Sequence, residues 1–409
     1  MNNIKNMISG LDEDKKLMFQ RAQSIINLLN QHGYEAYIVG GAVRNLLMNI
    51  PVNDIDITTD CMPDKIVELF DKTIPVGIEH GTVIVLQDDM PFEVTTFRED
   101  GEYEDHRRPE CVTFVKSLKT DLERRDFTVN AMAIQHNTLY DYFNGEMHIE
   151  KRLIKAVGDP DKRFYEDALR IIRALRFMSV LNFSIEDETL KAMEKHAPLL
   201  SHVSIERIII ELCKLTKGIN VAGALNTFFS IQLHKHIPFF KEMENFVVDQ
   251  PMSFIDYISL YIYLIDLTLL NKLNILKLSN NQKKSIKDNV TLLSTLSRGD
   301  KSIPYLVYHY RQEQLINLAH IINLIEEIEL SDAYREFNAS EILRVKDALQ
   351  IQSRAMLAIN GTMLMKHFNK KGGPWVKTVI ESVENAVIHN TLKNEKNAIL
   401  EWIDKHVKI

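Results

Sequence analysis

Apolar residues recur at helical spacing across residues 13–32, at Leu17, Ala22, Ile25, Ile26 and Leu29. Gly33 follows where a helix C-cap glycine belongs. Short runs of β-type residues come next, at 36–39, 55–58, 82–86, 92–97 and 112–115. Helical patterns at 42–48 and 64–70 separate the first two runs and the next two. The pattern predicts a small mixed α/β head ending near residue 150. Beyond residue 160 strand signals nearly vanish, and amphipathic patterns run through 161–181, 187–197, 204–217, 254–271, 314–330, 339–349 and 375–390. The fold class is α+β, a head followed by an all-helical remainder. Residues 101–110 are polar, charged and without period, and read as a mobile loop inside the head. The apolar stretch 254–276 is broken by Asp256, Asp266 and Lys272, which predicts a buried helix and no membrane span.

Composition narrows the classes. A chain of 409 residues has room for about two to four compact units. Lysine and arginine number 49 against 56 acids, a net charge of −7. A uniformly basic nucleic-acid coat is excluded, a local basic patch is not. Cys61, Cys111 and Cys213 are scattered and form no C-x-x-C pair, so neither a zinc site nor a disulfide scaffold is expected. The first residues hold no apolar secretory segment. The reading is a cytoplasmic protein.

The first dense motif is Val39-Gly40-Gly41, then twelve residues, then Asp54-Ile55-Asp56-Ile57. On a strand, side chains alternate faces, so Asp54 and Asp56 project to one side, about 7 Å apart. Such a pair can share a hard divalent cation such as Mg²⁺. Gly40-Gly41 joins a strand end to a helix and lets backbone N–H groups approach a phosphate, and Arg44 adds a fork-shaped donor. The plainer alternative is a pair of solvent-facing aspartates and a simple turn. The interval between the two pieces favours the metal reading. Together they resemble the nucleotidyltransferase superfamily signature, which implies a third carboxylate from a neighbouring strand. Glu93 is the candidate, either a metal ligand or an exposed strand glutamate. Nucleotidyl transfer needs an activated hydroxyl and a neutralised pyrophosphate, and a two-metal site supplies both.

The second motif is Gly158-Asp159-Pro160, then Arg163, Glu166-Asp167, Arg170, Arg173 and Arg176-Phe177. At about 100° per residue, Arg163, Glu166, Asp167, Arg170 and Arg173 share an arc of about 120° on one helix. A solvated, salt-bridged face is the ordinary explanation. Base chemistry offers a sharper one. Cytosine and adenine present an amino donor beside a ring acceptor, whereas uracil and guanine present the reverse. An aspartate accepting from the amino group, next to an arginine donating to the ring nitrogen, matches C and A only. Each mismatched buried group costs about 1–3 kcal/mol. Asp167 and Arg170 are spaced to present that pair, leaving Arg173 and Arg176 to meet phosphate or to orient the selecting residues.

Between the motifs lies Arg124-Arg125-Asp126-Phe127-Thr128. An arginine there suits a triphosphate and Asp126 a ribose hydroxyl, or the stretch is a charged loop capping a helix. Ser204-Ile205-Glu206-Arg207 looks like a helix start that braces the selecting helix. In this order the motifs, spanning residues 35–215, resemble those of class II tRNA nucleotidyltransferases, the CCA-adding enzymes, and their bacterial poly(A) polymerase relatives. The resemblance implies a head at 1–150, a neck at 151–220, a body at 221–310 and a tail at 311–409. It implies that Asp167 and Arg170 choose the base, and that Gly41, Arg44, Arg125, Arg173 and Arg176 bind the incoming nucleotide. Asp100-Gly101 and the stretch through Tyr103, Asp105, Arg107, Arg108 and Pro109 resemble the loop with which CCA-adding members switch from C to A. Asn45 departs from the aspartate common in the family, and Asp141-Tyr142-Phe143-Asn144-Gly145 is a loose version of a family turn. No His-Asp pair occurs, so the phosphohydrolase domain of some relatives is not expected.

The implied activity is Mg²⁺-dependent addition of C, C and A to tRNA from CTP and ATP. The rivals are a poly(A) polymerase, an A-adding half-enzyme, or a non-catalytic RNA-binding protein. Beyond residue 250, Lys272, Lys277, Lys283, Lys284 and Lys287 form one basic cluster, and Lys366, Lys370, Lys371 and Lys377 another. Each is either a contact for tRNA phosphates, on the acceptor and TΨC arm, or a solvated lysine face. Tyr257, Tyr261 and Tyr263 read as core.

Overall fold

The computed structural model describes residues 4–101, 112–325 and 328–407. The loop resembling a C-to-A switch therefore lies, from residue 102 onward, outside the described residues. The chain divides into two compact units, residues 1–254 with 272–277, and residues 255–271 with 278–409.

In the first unit, Asp12 caps the Glu13–Gln31 helix by accepting from Lys15 N. Ala22, Ile25, Ile26 and Leu29 are buried along one stripe, while Leu17, which the pattern assigns to that stripe, faces outward at 41% exposure. The strands are β1 (Ala36–Val39), β2 (Asp56–Thr59), β3 (Thr73–Ile74), β4 (Thr82–Gln87), β5 (Met90–Thr96), β6 (Arg98–Asp100), β7 (Val112–Phe114), β8 (Met132–Gln135) and β9 (Thr138–Asp141). Seven form one mixed sheet in the order β3-β4-β5-β2-β1-β8-β9. β2 and β5 run parallel, and the other neighbours are antiparallel. The Glu13–Gln31, Gly41–Leu47 and Pro63–Leu69 helices share one apolar core with this sheet, around Ile26, Val43, Ile57, Ile66 and Val94.

Two expectations need correction here, one of a helix and one of a strand. The continuous pattern at 161–181 breaks into helices Pro160–Glu166 and Leu169–Leu181. Asp167 between them is extended, at φ −139° and ψ 101°. Asp54 and Asp56 do not share a strand, because β2 begins at Asp56 and Asp54 lies just before it. The β8–β9 hairpin was not foreseen.

The stretch 254–271 is not one helix. An α-helix covers Phe254–Leu264 and 3₁₀ turns cover Leu267–Leu276. The pattern at 314–330 yields a helix only over Gln312–Ile322. Helix Asn280–Arg298 was not foreseen, although Ser279 and Gln282 form a capping box at its start. Asp256 does not interrupt the core. It is 6% exposed and accepts from Asn289 Nδ2 at 3.1 Å and Asn317 Nδ2 at 2.8 Å. Tyr257 and Tyr261 are buried.

Candidate active site

The acidic corner sits at the start of β2. Ile55 and Ile57 are 3% and 0% exposed, while Asp54 and Asp56 stay accessible to solvent on the other side. Glu93 on β5 stands directly opposite Asp56 in the parallel register, and Val39 opposite it on β1. Protein packed round the carboxylate, and then the charges of Asp54 and Glu93, push the Asp56 pKa up to about 6, against the pull of Arg125. Among the described residues, no three acidic, histidine or cysteine side chains converge on one point. The corner thus presents two hard oxygen side chains, Asp54 and Asp56, with a third carboxylate, Glu93, alongside. Their mutual repulsion is what a hard divalent cation relieves, so the residues fit such an ion.

Gly40 carries the turn from β1 into the Gly41–Leu47 helix at φ +69° and ψ −131°. A side chain has no comfortable place there. A Cβ on Gly40 would also stand 3.3 Å from Arg125 Nη1 and 3.8 Å from Asp56 Oδ2. Arg125 is held by Asp121 at 3.3 Å, and its Nε is buried with no hydrogen-bond partner. Asp121, which also pairs with Arg124 at 2.9 Å, is fully buried and stays ionised although burial opposes it, because both arginines are on it.

Asp167 and Arg170 face the same recess. Asp167 Oδ1 accepts from Leu169 N at 3.1 Å, and Oδ2 accepts from Arg207 Nη2 at 2.8 Å. Arg207, read from the sequence as a brace, thus grips the aspartate itself. Arg170 is 8% exposed, with Nη1 on Glu166 at 2.8 Å and on Arg163 O at 3.0 Å, and Nη2 on Arg124 O at 2.8 Å. Three anchors leave its remaining N–H groups for a ligand.

A wall of arginines completes the recess. Asp126, assigned from the sequence to a ribose hydroxyl, is occupied otherwise. Its Oδ2 takes Arg173 Nε and Nη2 at 2.8 and 2.6 Å, and its Oδ1 takes Phe127 N and Asn130 Nδ2 at 2.8 and 3.0 Å. Burial pushes its pKa up, but Arg173 and these donors hold it well below the usual carboxylate range. Arg176 Nε lies 2.9 Å from Glu211. Arg44 bonds Asn45 Oδ1 through Nη2 at 2.8 Å and also Asn130 Oδ1. Asn45 in turn donates to Pro51 O at 2.9 Å. Burial, then Arg176, push the Arg44 pKa down to about 10.

The recess holds about 570 Å³ and brings together Gly40, Gly41, Arg44, Asp54, Asp56, Arg125, Asp126, Asp167, Arg170, Arg173 and Arg176. Asn130, Phe177 and Arg207 also line it; sequence reading assigns the first two no role and Arg207 only that of a brace, because what marks them is a partner distant in sequence. A cavity of about 640 Å³ in the second unit has its main charges already paired, Arg354 with Glu384 at 2.5 Å. Of the lysine candidates, Lys284, Lys370 and Lys371 are exposed and Lys283 is half-buried.

Known proteins match this chain along nearly its whole length. A family model described as the poly A polymerase head domain matches residues 36–155. One described as a probable RNA and SrmB-binding site of polymerase A matches 182–244, and a putative tRNA nucleotidyltransferase domain 2 matches 255–403. The chain is similar to the CCA-adding enzyme of Staphylococcus epidermidis, 43% identical over 398 residues, covering 96% of this chain and 99% of that one. It is 41% identical over 398 residues to that of Staphylococcus haemolyticus, with 96% and 99% covered. It is also similar to the crystal structure of Bacillus stearothermophilus CCA-adding enzyme in complex with CTP, at 34% identity and a TM-score of 0.85, with 95% and 97% covered.

Proposed function

The chain belongs to the class II CCA-adding enzymes and builds CCA on the 3′ end of tRNA from CTP and ATP, and we propose that the recess described above performs each addition. The observation that carries this is the meeting, in one 570 Å³ recess, of the Asp54/Asp56 corner, the arginine wall and the Asp167/Arg170 pair.

In each addition the tRNA 3′-oxygen bonds to the α-phosphorus, the bond from that phosphorus to the β-bridging oxygen breaks, and pyrophosphate leaves. Asp54 and Asp56 would hold Mg²⁺, two ions in our reading, which when bound supplies Lewis acidity for the hydroxyl and countercharge for the leaving group. Glu93 keeps the corner electronegative and ready for cation. Gly40-Gly41 lets the nucleotide approach the backbone, while Arg44, Arg125, Arg173 and Arg176 take the phosphates. Asp126 serves through Arg173, which it orients. Asp167 accepts from the amino group of C or A, and Arg170 donates to the ring nitrogen. A ligand that cannot complete both bonds leaves a buried group unpaired. The exposed lysines Lys284, Lys370 and Lys371, with Lys283, contact tRNA phosphates, and a tRNA substrate suits a cytoplasmic protein. Among the described residues no helix is long and apolar enough to cross a membrane.

The test is Asp167→Ala, assayed with a tRNA lacking its last three nucleotides and each of the four nucleoside triphosphates. Transfer should persist at a reduced rate while discrimination against UTP and GTP falls at least tenfold. Unchanged rejection of UTP and GTP removes Asp167 from base selection.

A further inference from the structure

Phe177 follows Arg176 on the Leu169–Leu181 helix, and it is 6% exposed. Three guanidiniums lie against its ring, that of Arg176 at 3.9 Å from the ring centroid, Arg44 at 5.1 Å and Arg173 at 5.6 Å. Two come from its own helix, and Arg44 comes from the Gly41–Leu47 helix. Phe127 meets the ring nearly perpendicular, 5.8 Å between centroids at 81°.

Like charges brought this close repel. Asp126 answers Arg173 and Glu211 answers Arg176. Arg44 hydrogen-bonds only to amides, Asn45 and Asn130, among the described residues, and Asp126 and Asp54 act on it only at longer range. The cluster thus carries one cation more than its carboxylates balance. Burial and mutual repulsion together lower the pKa of both Arg44 and Arg176. The electron-rich face of an aromatic ring attracts cations, most strongly where water is excluded. A leucine would fill much of the same volume without that face.

We propose that Phe177 is a positioning residue whose ring face gathers Arg44, Arg173 and Arg176 into a preformed cationic clamp for the polyphosphate of the incoming nucleoside triphosphate. The unbalanced charge at Arg44 is what the polyphosphate neutralises. This rests on the assignment of the three arginines to the nucleotide's phosphates. The clamp acts on CTP and ATP alike, because it touches neither base nor RNA.

The experiment is steady-state kinetics of the full chain on tRNA lacking CCA, with Phe177→Leu, Phe177→Met and Phe177→Tyr, and with inorganic tripolyphosphate as competitor. Phe177→Leu should raise KM for CTP and for ATP by about 5- to 30-fold, equivalent to ~1–2 kcal/mol. The inhibition constant of tripolyphosphate should rise by the same factor, with kcat within about twofold and KM for tRNA unchanged. Phe177→Tyr, which keeps a ring, should recover most of the loss. Phe177→Met is the second ringless variant, and melting curves restrict the comparison to folded proteins. Unchanged KM values, a fall in kcat alone, or equal damage from leucine and tyrosine would each overturn the proposal. Arg44→Ala separates the premises. If it too leaves KM and tripolyphosphate inhibition unchanged, the arginine assignment has failed. If it raises both while Phe177→Leu does not, only the role of the ring has failed.

Discussion

Asp167 is the carboxylate we propose selects the base, and its partners hold it in one orientation. Leu169 N and the guanidinium of Arg207 occupy all but about one of its lone-pair directions, and the one remaining is on Oδ2. Arg207→Gln should free the carboxylate to rotate, lowering kcat/KM for CTP and ATP about tenfold and narrowing the margin over UTP. Single-turnover rates with all four nucleotides check this. Asp56 yields a prediction of opposite sign for stability. Its folded pKa is raised from 3.8 to about 6, so metal-free stability falls as pH rises through that interval. Asp56→Asn, in chelator, should therefore melt about 1–3 °C above the parent at pH 7.5, with the advantage fading below pH 4. The same variant should lose transfer, since a neutral amide replaces a carboxylate proposed to hold the metal. Asp54, Asp56, Asp167 and Arg170 were legible because each motif is local in sequence. Asn130, Phe177 and Arg207 were not, because nothing near them announces a partner forty or more residues away. Asp126 stayed ambiguous between a ribose ligand and a capping residue, because composition does not show that Arg173, Phe127 N and Asn130 take up its oxygens.

At the scale of elements, the decisive feature is the break at Asp167. The hydrophobic period runs through it, because a short extended step between two helices leaves the buried stripe in phase. Asp167 is also the side-chain cap of Leu169 N, which is the signal that could have exposed the break. The β8–β9 hairpin went unseen because its turn is His136-Asn137, with His136 at φ +54°, not a glycine pair. The strand–turn–helix at Gly40 was legible, and it carries a prediction. Gly40→Ala puts a Cβ into a conformation that L-residues avoid, at a local cost of about 1–3 kcal/mol, and against Arg125. The protein should still fold, with kcat/KM for CTP reduced at least tenfold. Wild-type turnover would show that the turn tolerates a side chain and that its glycine serves no approach of phosphate.

For the whole molecule, the sequence separated an α/β head from a helical remainder, and the seven-stranded sheet and the helices beyond residue 160 agree with it. The lysines remained ambiguous, since a basic patch looks the same whether it meets RNA or water. With a net charge of −7, retention of tRNA must come from local patches. Lys370→Ala with Lys371→Ala should raise KM for tRNA about three- to tenfold, flatten its salt dependence, and leave KM for CTP unchanged. The most direct test of the account uses wild-type protein, Mg²⁺ and a tRNA lacking its last three nucleotides, with products resolved one nucleotide at a time. CTP alone should give two additions, and a third should appear only when ATP is also present. A long ladder from ATP alone, or a stop at two with both nucleotides present, would contradict CCA synthesis by this chain.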